Sequence, residues 1–142
     1  ALATAEALAK VGISAEVIDL RVLRPLNLGP VIKSVAKTGR LVTIDTGWTT
    51  YGVGGEIVAT VAQECLGDLK VPPRRLGLAD HPTPSSRSLT PDYYPTPEAL
   101  IDCVGEMVGA QAKQLEAARA DMAEHRGDLP LDVPNPTFQG PF

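Results

Sequence analysis

The sequence predicts an α/β domain built on a largely parallel sheet. Helix-like and strand-like segments alternate along residues 1–107, and the short connections between them are typical of parallel strands joined by crossover helices. The strand-like segments are almost continuously apolar, as expected for strands that are covered on both faces. A length of 142 residues with 44% hydrophobic residues suits one domain with a substantial core.

The first part of the chain contains two predicted helices and two predicted strands. Residues 1–11 are rich in Ala, Leu and Glu and predict a helix. Residues 15–20 are short, apolar and β-branched, which favours a strand. Residues 28–37 predict a second helix with Pro30 in its first turn, and residues 40–45 predict the second strand. The chain opens inside a helical pattern with no cap or strand before it, so we expect a fragment of a longer protein.

The middle of the chain continues the alternation. Residues 54–66 predict the third helix, and residues 72–78 enter a third, weaker strand whose prolines come before its ladder. Residues 80–96 form a long loop that carries four prolines. Pro97 then occupies the first turn of a fourth helix that continues through Met107.

The last third of the sequence changes in composition. We predict a domain over residues 1–110, a helical extension over residues 111–126, and an extended Pro-rich tail over residues 127–142. The tail is interpreted either as a disordered terminus or as an arm that packs on a neighbouring subunit. Its apolar side chains are anchors that a purely solvated tail would not need, and both interpretations stay open.

Composition excludes several classes of function. The net charge of −4 makes the chain a poor candidate for a nucleic-acid partner, since such partners require a basic surface. No apolar run approaches the roughly 20 residues that span a membrane. Cys65 and Cys103 are far apart, and with two isolated histidines they form no metal-ligand pattern. We interpret both cysteines as reduced core residues of a cytoplasmic protein, with no metal site.

Residues 45–57, DTGWTTYGVGGEI, have the layout strand, glycine loop, helix. This layout is typical of phosphate-binding turns, and Gly52 and Gly54 supply half of a dinucleotide fingerprint. The third glycine position is occupied by Ile57, and no Gly-Lys-Ser/Thr follows. Four residues, from Trp48 to Tyr51, are also inserted before the glycines. The sequence therefore argues against a nucleotide site here.

The same loop is the candidate interaction surface of the chain. Trp48 and Tyr51 are large apolar side chains at a loop tip, where they need a partner to bury them. Gly52, Gly54 and Gly55 complete the candidate interface, and glycine at the helix start also permits close packing on the preceding strand. We expect Trp48→Ala to weaken association more than it lowers the stability of the fold.

Asp80 and His81 form a second, polar candidate site. A histidine on a loop can perform acid–base chemistry. No serine or cysteine with a recognisable nucleophile motif accompanies it, so a surface or interface histidine is the competing interpretation. No catalytic residue, cofactor-binding residue or metal ligand is assigned to this chain.

Four motifs occur in register and carry a family resemblance. They are GISAEVIDLR (12–21) followed by LRPL (23–26), KSV (33–35) followed by KTGRLV (37–42), DxGW (45–48) followed by GVGGEI (52–57), and VPPRRL (71–76) followed by DxPxP (80–84). In this order, over about residues 1–108, they resemble the C-terminal domain of the β subunit of thiamine-diphosphate-dependent 2-oxoacid dehydrogenases. These are the decarboxylating components of pyruvate, branched-chain 2-oxoacid and acetoin dehydrogenase complexes. The wider superfamily is the transketolase C-terminal domain.

The resemblance implies a three-layer α/β/α fold with a mixed sheet of about five strands, one of which normally precedes the first helix and is missing here. It implies thiamine diphosphate and magnesium in the whole enzyme, between the α subunit and the N-terminal domain of the β subunit, with none bound by this chain. The expected partners are the α subunit, a second β subunit and the acyltransferase core. The whole enzyme would decarboxylate a 2-oxoacid and pass the acyl group to a lipoyl carrier, in the cytoplasm or the mitochondrial matrix.

Two alternatives remain open at this point. One is the C-terminal domain of a transketolase or a deoxyxylulose-phosphate synthase, which a phosphosugar site in residues 80–94 would favour. The other is a stand-alone protein-interaction module, which a natural start near Ala1 would favour.

Overall fold

The structure, a computed structural model, describes residues 1–90 and 93–126. These residues contain five α-helices, one 3₁₀ turn and two strands. In chain order the elements are α1 (Leu2–Lys10), α2 (Gly29–Thr38), β1 (Val42–Trp48), α3 (Val53–Cys65), β2 (Arg74–Leu78), the 3₁₀ turn (Arg87–Leu89), α4 (Pro97–Val108) and α5 (Ala112–Arg126). Within this part of the chain each helix is too short or too polar to span a lipid bilayer.

The sheet is parallel and has helices on both faces. β1 and β2 pair in parallel, with Ile44 opposite Leu76, and α3 connects them. Successive strand residues point to opposite faces. Arg75 accordingly extends toward the start of α3, whereas Arg74 reaches Glu106 of α4 at 3.4 Å. The predicted α/β class and its helix–sheet–helix layering are confirmed.

The predicted boundaries of α2 and α4 are set by local capping groups. Gly39 ends α2 with a φ of 72°, and its N–H donates to Val35 O at 2.7 Å. α4 begins at Pro97, and the side chain of Thr96 accepts a hydrogen bond from Ala99 N at 3.1 Å. Gly109, with a φ of 67°, ends α4. These residues act over a few positions, so the sequence alone could place them.

The strand predicted over residues 15–20 is wrong. The segment carries no ladder hydrogen bonds among the described residues. Ile18 and Leu20 pack against the helices instead, and Glu16 accepts a hydrogen bond from Ser34 Oγ at 3.1 Å. An apolar, β-branched pattern is typical of a strand. A strand also needs a neighbouring strand with which its backbone can form hydrogen bonds. The described residues hold two of the about five strands that the resemblance implies.

The apolar core consists of two clusters. The first cluster joins α1, α4 and α5, and its buried residues are Ala7, Leu8, Ile13, Ile101, Ala118 and Met122. The second cluster joins α2 and α3, and its buried residues are Leu28, Val31, Val35, Ile57, Val61 and Cys65. Each cluster removes the apolar stripe of its helices from water, which is the main driving force for folding.

Arg40 connects the helices of the two clusters. Its Nε donates to Met107 O at 2.9 Å, near the end of α4. Its Nη1 donates to Thr38 O at 3.2 Å, at the end of α2. The last carbonyls of a helix lack partners inside the helix and carry its negative dipole end. One part-buried cation therefore satisfies two helix ends at once.

The predicted helical extension is α5, and it packs against α1 and α4. A Cβ on Gly105 would lie 2.6 Å from Leu115 Cδ2, so the two helices are in close contact. Gln114 Nε2 donates to Val11 O at 2.9 Å, which caps the end of α1. The division of the chain at residue 110 stays a prediction, and the predicted tail of residues 127–142 lies outside the described residues.

Candidate functional site

The two candidate sites predicted from the sequence follow neighbouring strand ends. The carboxyl ends of parallel strands lie at one edge of a sheet, which is where α/β domains commonly build their sites. β1 leads into the glycine loop, and β2 leads toward Asp80 and His81. Thr49 joins the two, because its N–H and its Oγ1 both donate to Leu78 O, at 3.2 and 3.1 Å. The sequence separates these regions by about 30 positions, and the parallel pairing brings their backbones together.

The aromatic loop, defined as residues 48–52, presents two large side chains to solvent. Its first residue, Trp48, is also the last residue of β1 and pairs with Leu78, so Trp48 does not lie at the loop tip as predicted. Trp48 is 54% exposed and Tyr51 is fully exposed. Tyr51 has a φ of 59°, a conformation that non-glycine residues adopt rarely. A Cβ on Gly52 would lie 2.0 Å from Trp48 O, so only glycine fits at that position. The backbone of the loop is thus constrained in a conformation that directs Tyr51 outward.

Gly54 and Gly55 allow the start of α3 to approach the sheet. A Cβ on Gly54 would lie 2.7 Å from Thr43 Oγ1, and one on Gly55 would lie 3.3 Å from Arg75 Nη1. The predicted close packing of helix on strand is confirmed. The absence of a nucleotide site stays a prediction that rests on the incomplete glycine motif.

Arg75 is a residue of this region that sequence reasoning missed. Its Nη1 donates to Thr49 O at 2.8 Å, across from β2 to the residue after β1. The sequence contains two successive arginines, Arg74 and Arg75, and alternation along a strand sends them to opposite faces. This pattern indicates that one of the two arginines lies on the same face as the glycine loop, but it does not indicate which one.

His81 and Asp80 are both exposed, and the contacts of His81 are with a buried tyrosine and with backbone. The ring of His81 lies 5.0 Å from that of Tyr93, which is 2% exposed. Tyr93 Oη donates to His81 O at 3.2 Å and lies 3.1 Å from Thr83 Oγ1. His81 Nδ1 contacts Pro82 O at 3.0 Å, and since a carbonyl only accepts, Nδ1 carries a proton there. These contacts organise the loop after β2, and a polar site at Asp80 and His81 stays a prediction.

Neither of the two thiols is set up as a nucleophile. Cys65 is buried in the second cluster and Cys103 is half-buried on α4, and both are free. Burial raises the pKa of each thiol, and for Cys65 the carboxylates of Asp68 and Glu64 raise its pKa further. A reactive cysteine needs a lowered pKa. Over residues 1–90 and 93–126, no three His, Cys, Asp or Glu side chains are grouped as metal ligands.

Comparison with known families decides the relationship. The model of the family described as Transketolase, C-terminal domain matches residues 1–100. The chain belongs to the transketolase C-terminal domain family. Within this family it is similar to the protein named pyruvate dehydrogenase E1 component subunit beta, mitochondrial, in several organisms. The predicted resemblance to β subunits of 2-oxoacid dehydrogenases is therefore confirmed.

Three relatives show the extent of the similarity for this transketolase C-terminal domain. The Pisum sativum protein is 45% identical over 101 residues, which is 71% of this chain and 28% of the relative. The Chaetomium thermophilum protein is 38% identical over 99 residues, 70% of this chain and 26% of the relative. The Drosophila melanogaster protein is 38% identical over 118 residues, 82% of this chain and 32% of the relative. The chain thus spans 26% to 32% of the length of these relatives.

Proposed function

We propose that this chain is the C-terminal assembly domain of the β subunit of a pyruvate dehydrogenase decarboxylating component. The names of the relatives support the pyruvate type over the branched-chain and acetoin types and over a transketolase or a sugar-phosphate synthase. In this proposal the whole enzyme carries out oxidative decarboxylation and transfers the acyl group to a lipoyl carrier. This domain supports that reaction by holding subunits together.

The observation that carries the proposal is the aromatic loop. Trp48 is half exposed and Tyr51 is fully exposed, on a backbone that is tethered to β2 at Thr49. Tyrosine and tryptophan combine a large apolar area with little side-chain entropy and dominate the energetics of many interfaces. A constrained loop also loses less entropy when it binds than a mobile one. These features support a protein surface as the ligand of the loop.

Thiamine diphosphate and magnesium belong, in this proposal, to other parts of the whole enzyme. The described residues do not complete a dinucleotide fingerprint at the glycine loop, because Ile57 occupies the third glycine position. They also offer no cluster of acidic, histidine or cysteine ligands for a metal ion. No catalytic step is therefore assigned to residues of this chain.

The proposed partners are an α subunit and a second β subunit, with the acyltransferase core of the complex as a further docking partner. The relatives are named as mitochondrial proteins. We propose the mitochondrial matrix as the compartment in a eukaryotic source and the cytoplasm in a bacterial one.

The proposal is tested by titrating the chain with the purified cognate α subunit in a calorimeter, and by sedimentation of the chain alone. We expect Tyr51→Ala and Trp48→Ala each to weaken association about tenfold or more, the effect of losing an interface anchor. Leu66→Ala is the matched control, since Leu66 is 71% exposed but lies at the end of α3, outside the aromatic loop. Wild-type association constants in both aromatic variants, or no association of the wild-type chain, would overturn the proposal.

A further inference from the structure

Arg75 lies in a space that the glycines of the motif leave free. A Cβ on Gly55 would lie 3.3 Å from Arg75 Nη1, and one on Gly54 would lie 3.8 Å from Arg75 Cδ. Larger side chains at these two positions would therefore press on the arginine as well as on the strand. The two glycines accommodate an arginine side chain between β2 and the first turn of α3.

The position of Arg75 is not favourable for α3 itself. Gly54 and Gly55 belong to the first turn of this helix, where the dipole favours negative charge and opposes a cation. What Arg75 gains there is the hydrogen bond from Nη1 to Thr49 O at 2.8 Å. The arginine thus serves the aromatic loop rather than the helix.

Thr49 is held at three atoms. Its N–H and Oγ1 donate to Leu78 O, and its O accepts from Arg75. Thr49 follows Trp48 directly and precedes Tyr51 by two residues, so fixing its peptide groups limits where both aromatic side chains can point. Of the three bonds, the one from Arg75 has a charged donor, and it is exposed, so water competes for that donor.

We infer that Arg75 is the positioning residue of the interaction surface: it holds the aromatic loop in its binding conformation through Thr49 O. This inference rests on the proposed role of the loop in association. Removing the tether lets the loop sample other conformations in the free chain, and a partner must then select the competent fraction.

Trp48 provides a direct readout, because it is the one tryptophan in the sequence. We expect Arg75→Ala to lower the fluorescence anisotropy of Trp48 and to increase its quenching by acrylamide, while the urea midpoint stays unchanged. Binding to the cognate α subunit should weaken about threefold or more, by the factor by which the binding-competent fraction of the loop falls. Arg75→Lys should restore part of both signals, since an ammonium can still donate to Thr49 O. Arg74→Ala is the matched control, because Arg74 faces Glu106 on α4.

The variants separate this inference from the proposed function. In a background that carries both Trp48→Ala and Tyr51→Ala, Arg75→Ala should cause no further loss of binding, since the arginine acts through these two side chains. Unchanged Trp48 anisotropy and quenching in Arg75→Ala would overturn the inference, and so would normal binding by Arg75→Ala when Tyr51→Ala binds poorly. If both variants bind normally, the proposed function and the positioning role are both wrong. A lower Trp48 anisotropy in Arg75→Ala would then show only that the arginine restrains the loop.

Discussion

Leu115 of α5 lies directly over the backbone of Gly105 in α4. A Cβ on Gly105 would be 2.6 Å from Leu115 Cδ2 and 2.7 Å from Cδ1, distances that real Cβ atoms do not adopt. Beside this contact, Arg119 of α5 forms an ion pair with Asp102 of α4. The absence of a side chain at Gly105 therefore sets how closely α5 approaches α4.

We predict that Gly105→Ala lowers the free energy of unfolding by about 1 kcal/mol. Overpacking costs ~1–3 kcal/mol, and the higher helix propensity of alanine offsets ~1 kcal/mol of it. Urea denaturation measures the change. Gly67→Ala is the control, because nothing lies within 4 Å of a Cβ at Gly67. In a Leu115→Ala background the cost of Gly105→Ala should disappear, and persistence of the full cost there would contradict the packing argument.

We predict that Arg40→Met destabilises the domain by ~1–3 kcal/mol. The substitution keeps much of the apolar stem but removes the donors to Met107 O and Thr38 O, and charged hydrogen bonds contribute ~1.5–3 kcal/mol. Chemical denaturation provides the measurement. Arg21→Met should change stability by less than about 0.5 kcal/mol, since Arg21 and Asp19 form an exposed pair. Equal effects at the two arginines would refute a special role for Arg40.

We predict that Thr96→Ala destabilises the fold by about 1 kcal/mol and that Thr96→Ser does not. The side-chain oxygen of Thr96 accepts from Ala99 N at the start of α4, and loss of such a cap typically costs ~0.5–2 kcal/mol. Serine retains the oxygen. Thermal and urea unfolding are measured for the wild-type chain and for both variants. Identical midpoints for the alanine and serine variants would count against the cap.

We predict that the stability of the fold decreases as the pH rises above about 9 and that Cys65→Ala reduces this decrease. Burial, followed by Asp68 and Glu64, raises the pKa of Cys65 above its ordinary value of 9.0. The unfolded chain therefore loses this proton at lower pH than the folded chain does. The stabilisation is complete below the unfolded pKa and is lost as the pH rises through the folded pKa. Urea titrations between pH 7 and pH 11 measure the slope, and equal slopes for both proteins would contradict this origin.

The sequence predicted the helices and their ends well, because the signals that set them are local. Gly39 and Pro97 act on residues within one turn, so their effect could be read without knowing the fold. The strand ends are less local. β1 extends to Trp48, beyond its predicted end at residue 45, because it continues to pair with β2 as far as Leu78.

The features that could not be predicted from the sequence all depend on contacts between residues that are distant along the chain. The segment of residues 15–20 has a strand-like pattern, and only the tertiary structure shows that it bonds to no strand among the described residues. Sequence reasoning named residues of the loop as candidates, and their role stays a prediction. It did not name Arg75, because the role of Arg75 depends on the 2.8 Å contact with Thr49 O across the sheet. An arginine in a strand looks the same in sequence whether it is solvated or tethers a loop.

The parallel pair of β1 and β2 has a consequence for how the chain associates. Among the described residues, β1 and β2 pair with each other and with no further strand, so no strand covers the outer edge of either. Such edges can pair with another chain through backbone atoms alone. The proposed association of the chain therefore has two candidate sources, the aromatic side chains of the loop and the backbone of the sheet. Tyr51→Ala weakens association through the aromatic side chains, whereas it leaves association through the strand backbone unchanged.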